Sequence, residues 1–221
     1  MEPMELPGLE RLMEVCGRLG LRLETSRPAH SPLQAGARVE GLPLDPMLAA
    51  VYARMGSASF ATDISGIVLH PWEDTNRQLA EQNRWWAENY QKQFPAQTFV
   101  FAGEPHLAYH YATVPSLADE RGYQPVVWVD VYEEPCAFPI ASNVDRFFEA
   151  YSRYLETLMS LPNAREEGSS LLAFPLGCAD VIGCDATLVA QLRSGRFDLL
   201  MTGPEEQAWE RKVIATGLSR A

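Results

Sequence analysis

Residues 125–159 read PVVWVDVYEEPCAFPIASNVDRFFEAYSRYLETLM, and this stretch decides the fold. Val127, Val129 and Val131 alternate on one face of a strand, and Val126, Trp128, Asp130 and Tyr132 take the other, the period of two that a pleated strand imposes. The valine face is wholly apolar and is expected to be buried. The Trp-Asp-Tyr face is mixed, and is expected to be partly wet or to meet a partner. Glu133, Glu134 and Pro135 break the run, and Ala137–Ile140 predicts a short return strand. Ser142 with Asp145 three residues on has the spacing of a capping box. Val144, Phe147, Phe148, Tyr151, Leu155 and Leu158 then recur at helical spacing, with Asp145, Arg146, Glu149, Arg153 and Glu156 on the opposite side. The result is a strand–turn–strand–helix unit, with Phe147 and Phe148 expected against the valine face.

Upstream, Gly8–Leu19 predicts a helix with Leu9, Leu12, Met13, Cys16 and Leu19 on one stripe, stopped by Gly20. Residues 21–41 are loop-like, with a short strand near Leu21–Leu23. Asp45 is a good N-cap with Pro46 at the first helical position, and Gly56 is expected to close that helix as a C′ glycine. Gly66–His70 predicts a strand and Thr75–Phe94 a polar surface helix containing Trp85 and Trp86. Gln97–Gly103 and Leu107–Val114 predict a hairpin leading into the central strand. Residues 162–170, PNAREEGSS, have the composition of a linker. Beyond them a helix is expected near Ala186–Leu192, a strand at Phe197–Met201 and a helix at Pro204–Ala215.

The chain has 221 residues, 47% of them hydrophobic, enough for a sizeable core. Its 18 basic and 29 acidic residues give a net charge of −11. That balance argues against nucleic-acid and anionic-membrane binding, which need a basic surface, and suits a basic partner. No run approaches the ~18–20 apolar residues of a membrane helix, and the N-terminus is acidic, so a cytoplasmic location is expected. Cys16, Cys136, Cys178 and Cys184 form no CxxC pair and are expected to be reduced thiols. Only Lys92 and Lys212 are lysines, an arginine bias that points, through codon usage, to a GC-rich bacterial genome.

Taken together, Gly41-Leu42-Pro43, the helix running to Gly56, the strand Val126–Tyr132, and Ile140-Ala141-Ser142 with Phe147 and Phe148 in the helix behind resemble the SMI1/KNR4, or SUKH, superfamily. The resemblance covers roughly residues 8–160; the Trp-rich helix at 75–94 reads as an insertion, and the residues after Leu161 have no counterpart. It implies an α+β fold; the chain as a whole is expected to form an antiparallel sheet with helices packed mainly on one face over residues 1–161, followed by a C-terminal α/β extension over 162–221 packed on the same domain. It also implies a non-enzymatic binding role with no shared catalytic residues. The leading functional reading is an immunity protein that neutralises a basic bacterial toxin, with a regulatory or scaffold protein of the same fold as the alternative.

The residues that could carry chemistry are sparse. His106 and His110, with Glu104 nearby, sit in a strand-like stretch without a third-ligand motif, so no bound metal and no cofactor are expected. Asp63, His70 and a serine could be written as a triad, but there is no GxSxG elbow. Glu133-Glu134 and Glu73-Asp74 are adjacent rather than facing carboxylates, which suits solvated turns. Gly177-Cys178-Ala179-Asp180 with Gly183-Cys184-Asp185 is an odd run that a small hydrolase could use, yet no basic residue stands closer in sequence than Arg193. No catalytic residue is therefore assigned. Trp85 and Trp86 cannot both face inward on one side of a helix, so packing from two sides competes with exposure of one. The partner-binding surface is placed on Trp128, Asp130, Tyr132, Glu133 and Glu134, because aromatics mixed with carboxylates suit an interface core rimmed by steering charge.

Overall fold

The computed structural model describes residues 4–132 and 136–218. Its strands are β1 (Leu23–Thr25), β2 (Arg38–Val39), β3 (Leu42–Pro43), β4 (Ala58–Phe60), β5 (Ile67–Leu69), β6 (Phe99–Gly103), β7 (Tyr109–Thr113), β8 (Val126–Asp130) and β9 (Cys136–Ala141). Its helices are α1 (Pro7–Leu19), α2 (Pro46–Arg54), α3 (Gln78–Asn89), α4 (Val144–Met159), α5 (Ala164–Glu167), α6 (Ala179–Ile182), α7 (Ala186–Arg193) and α8 (Pro204–Leu218). Seven strands form one antiparallel sheet in the order β1-β4-β5-β6-β7-β8-β9, and β2 with β3 makes a separate hairpin. The fold is α+β.

The sheet buries both faces of its interior strands. Tyr111 of β7 lies opposite Trp128 of β8, and Trp128 opposite Phe138 of β9, so the three rings share one face. α4 packs on this aromatic face: the Phe147 ring meets Phe101 at 5.6 Å and Tyr111 at 5.0 Å, and Phe148 meets Phe60 at 6.0 Å. The other face carries His110 opposite Val129, and Trp86 of α3 sits 5.2 Å from the His110 ring. The expectation that Phe147 and Phe148 pack on the valines is therefore corrected. Both stay fully buried, but against the aromatic row. α4 and Trp209 of α8 cover this face, the Trp209 ring meeting Phe138 at 6.1 Å, so Trp128 is only 3% exposed.

α3 also closes the sheet where β5 has ended. Asn83 accepts from Val100 N–H at 2.9 Å and donates to the Val100 carbonyl at 2.8 Å, at the bulge between Val100 and Ala102. One side-chain amide stands in for a missing strand. Trp86 is buried and donates to Thr98 Oγ1 at 2.8 Å, whereas Trp85 is 44% exposed.

Several helix ends differ from the sequence expectation. α4 starts at Asn143, whose side chain accepts from Arg146 N–H at 2.9 Å. Ser142 N–H instead donates to Asp185 at 2.7 Å, and Asp145 reaches across to α1, accepting from Gly8 N–H at 2.9 Å and Leu9 N–H at 3.2 Å. Asp145 thus satisfies orphan donors of a helix 136 residues away in sequence. Gly8 lies so close to the Asp145 carbonyl that any side chain there would collide with it. α2 ends at an extended Met55 rather than on a left-handed glycine; Gly56 is needed because a Cβ would stand 2.5 Å from the Arg27 carbonyl. Residues 162–170 are folded, as α5 and a 3-10 turn over Gly168–Ser170. Phe197–Met201 is a helical turn, not a strand: Met201 N–H donates to the Phe197 carbonyl at 3.1 Å, and Phe197, Leu200 and Met201 are buried at i, i+3, i+4. The segment after Leu161 packs on the same sheet through Trp209, whose indole N–H donates to the Pro139 carbonyl at 3.1 Å.

Asp45 ties α2 to the sheet. It is fully buried and accepts from Met47 N–H (2.7 Å), Leu48 N–H (3.0 Å) and Gln124 N–H (2.6 Å). Gln124 in turn donates to the Pro43 carbonyl at 3.0 Å and accepts from Thr113 at 2.6 Å. Asp45→Ala removes a helix cap and strands the buried Gln124 N–H. A loss of about 2–4 kcal/mol is expected in urea denaturation, the cap contributing ~1 and the unpaired donor the rest. A loss below about 1 kcal/mol would mean that the network does not hold α2.

Candidate partner-binding surface

The strand-end residues singled out in the sequence lie on a gradient from core to solvent. Trp128 is buried; its ring sits 4.8 Å from Tyr109 and 5.7 Å from Phe138, and its Nε1–H points to Glu104 Oε1 at 3.4 Å. Tyr109 is partly buried. Tyr132 lies outermost, 56% exposed, with its ring edge-on to Tyr109 at 5.3 Å. Asp130 ends β8 opposite both Tyr109 and Cys136, and turns the chain outward by accepting from Tyr132 N–H at 2.9 Å. Glu133 and Glu134 lie outside the described residues. Trp128 is thus a support beneath the surface rather than part of it.

The fold adds residues that sequence proximity could not reveal. The half-buried Cys136 thiol has its pKa pushed up to about 12, first by burial and then by the carboxylates Asp130, Glu206 and Glu205. Glu205 and Glu206 open α8, so the topology carries two carboxylates from the C-terminal helix to the end of β8. Tyr109 is raised by burial and by Asp130, Tyr132 and Glu104. Glu104 is itself raised by burial, against donation from Tyr111 O–H at 2.9 Å and from Trp128. Leu107, 46% exposed, sits in the β6–β7 turn, which Val131 N–H joins to the strand end by donating to the Ala108 carbonyl at 3.3 Å. The surface therefore has Tyr109 and Tyr132 at its centre and Asp130 beside them, with Glu205 and Glu206 close to Cys136 on the far side of Asp130.

A larger cleft of about 930 Å³ opens between α1 and the 119–123 turn. Its lining includes six carboxylates and three arginines, but Asp145 is engaged with α1 and Glu149 bridges Arg146 and Arg153. Its charge is therefore partly compensated within the fold.

The remaining sequence candidates separate. His106 is exposed in the β6–β7 turn with φ 65°, while His110 points onto the valine face. Asp63 accepts from Arg22 N–H at 2.9 Å. Glu73 accepts from Ser57 O–H at 2.8 Å, and Asp74 pairs with His30. Cys178 is buried, its thiol directed at the Ala173 carbonyl at 3.6 Å and its pKa pushed up to about 12, chiefly by burial. No group of three or more His, Cys, Asp or Glu able to hold a metal occurs among the described residues, and no helix among them is long and apolar enough to cross a membrane. Comparison with protein-family models, curated proteins and solved structures finds no match to this chain.

His70, just after β5, joins His110 on the valine face. Burial and the neighbouring His110 lower its pKa to about 4. The folded state therefore favours neutral His70. That contribution is complete above the unfolded pKa near 6.5 and is lost as pH falls through about 4. The stability difference between wild type and His70→Gln, measured in chelator-containing buffer, is expected to shift by about 2 kcal/mol between pH 7 and 4, allowing for solvent at the ring's exposed edge. A flat difference would place His70 in an aqueous environment.

Proposed function

We propose that this chain is a non-enzymatic binding protein of the immunity type, whose acidic strand-end surface engages and blocks a basic toxin. The observation that carries this reading is Tyr132, an exposed aromatic seated on Tyr109 next to Asp130, with Glu205 and Glu206 close to Cys136, the residue opposite Asp130. An aromatic centre supplies desolvated contact, and uncompensated carboxylates steer a cation-rich partner. The net charge of −11 and the resemblance to the SUKH superfamily support the same reading. Its runner-up, a regulatory or scaffold protein, uses the same surface for a basic partner that is not toxic.

The test starts from the genes flanking this one: a basic toxin encoded there is the partner to assay, and its absence would favour the regulatory reading. Wild type should rescue cells expressing that toxin. Asp130→Lys with Glu205→Lys and Glu206→Lys should slow association about tenfold or more and flatten its salt dependence. Tyr132→Ala should chiefly raise the dissociation rate. Binding that ignores all four positions would remove this surface, and binding without rescue would favour the regulatory reading.

The hydrolase reading needs a thiolate at Cys178 or Cys184, and at Cys178 burial works against one. Cys178→Ser is expected to leave partner binding intact and to cost about 1–2 kcal/mol in thermal unfolding, from burying a hydroxyl in a thiol-sized site. Loss of function with the fold preserved would reinstate Cys178 as a reactive group.

A further inference from the structure

Three strands bring together two imidazoles that the function above does not use. Val68 of β5 lies opposite Gly103 of β6, and Gly103 opposite His110 of β7, so the three positions form one row on one face. His70 stands two residues beyond Val68, on the same side of the sheet. Gly103 has no side chain, and the row is open at its middle. The opening is a slot of about 340 Å³ whose lining includes His70, His110, Val68, Gln78 and Glu104.

Both rings border the same point. A Cβ built on Gly103 would lie 3.5 Å from His110 Nδ1 and 4.0 Å from His70 Cε1. His70 Nε2 and His110 Nδ1 are buried and have no hydrogen-bond partner in the protein. The rings are also held in place. His70 is anchored through its backbone, its N–H donating to the Phe101 carbonyl at 2.9 Å and its carbonyl accepting from Tyr52 O–H at 2.8 Å. His110 is fixed by the edge of Trp86 at 5.2 Å.

We propose that this slot binds a divalent transition-metal ion of the zinc type through His70 and His110, with solvent or a donor from a bound molecule completing the coordination. Imidazole nitrogen selects zinc, nickel and copper over magnesium and calcium. A metal takes the lone pair of an imidazole nitrogen, and His70 Nε2 and His110 Nδ1 are the ring nitrogens that the protein leaves without a partner. The acidic chain favours a cation over an anion. With two protein ligands rather than three or four, the site is an open one. The sequence expectation of no metal rested on His106 with His110; the fold replaces His106 by His70, which lies 40 residues from His110 in sequence. This inference does not depend on the toxin-binding reading.

The test uses the full-length, tag-free chain after treatment with a chelator. Zinc chloride titrated calorimetrically near pH 7.5 should saturate at about one ion per chain. His70→Ala and His110→Ala should each weaken uptake about tenfold or more, as should Gly103→Ala, which narrows the slot, while His106→Ala should leave it unchanged. A readout independent of substitution guards against unfolded variants. In wild type, zinc should shift the imidazole carbon-bound proton resonances of His70 and His110 but not those of His30 and His106. Uptake that fails to saturate, that survives loss of both His70 and His110, or that shifts His30 or His106 instead would overturn the proposal. Binding of a neutral organic molecule in the slot with no zinc uptake would overturn it equally.

Discussion

Trp128→Ala is expected to destabilise the protein by about 3–5 kcal/mol, the cost of truncating a large core aromatic, while Tyr132→Ala should cost less than about 1 kcal/mol. Trp128 is 3% exposed and sits in an interior strand between Tyr111 and Phe138 on one face. Removing the indole takes away its contacts with Tyr109 and Phe138 and one of the donors that face Glu104, and β8, with strands on both sides, is poorly placed to collapse into the void. Tyr132 is 56% exposed, its ring edge-on to Tyr109 at 5.3 Å. The order should invert in a binding assay. Tyr132→Ala should shorten the complex's lifetime at full foldedness, and Trp128→Ala should lose binding only in proportion to its unfolded fraction. Urea denaturation of the two variants decides the matter. A Trp128 cost no larger than that of Tyr132 would return the tryptophan to the surface.

Trp128 also marks where sequence reasoning reached its limit. Alternation along Val126–Asp130 was legible, because side-chain direction in a strand is fixed by the pleat. The period says which residues share a face, but not how many faces are covered. That depends on what packs on each face: α4 and Trp209 of α8 lie on the mixed face and Trp86 of α3 on the other, so the mixed face is dry at Trp128, half-buried at Asp130 and wet at Tyr132. The α4 stripe was legible for the same reason, from Val144 to Leu158. Caps were less so: Asp145 has the spacing of a local cap, yet its carboxylate bonds Gly8 and Leu9, partners that only the folded chain supplies. Of the candidate surface, Asp130 and Tyr132 could be found in one strand. Tyr109, Glu205 and Glu206 could not, since strand pairing and the return of α8 bring them there from distant sequence. The polar run of residues 162–170 misled because short helices tolerate polar sequence when neighbours pack on them.

Phe147→Ala is expected to cost about 3–5 kcal/mol as well, for a different reason. Adjacent residues on a helix point about 100° apart, so Phe147 and Phe148 can both be fully buried only if α4 is covered on more than one side. Phe148 turns toward Phe60 of β4, while Phe147 points into the sheet, ringed by Phe101, Tyr111, Tyr151 and Phe174. Phe174 belongs to the segment after Leu161, so this one ring joins α4, the central strands and the C-terminal residues. Truncation opens a cavity at their junction, and close packing on all sides limits relaxation. Phe147→Leu, which keeps most of the volume, should cost about 1–2 kcal/mol. The loss should also be shared across the chain. Backbone hydrogen exchange in Phe147→Ala should rise together in β6, β7 and α4 and in the helices after Leu161, since one cooperative unit opens as a whole. Exchange that rises in α4 alone, with the C-terminal helices still protected, would show that they are held independently of this ring. A cost below about 1.5 kcal/mol would show that α4 does not seat on the aromatic face.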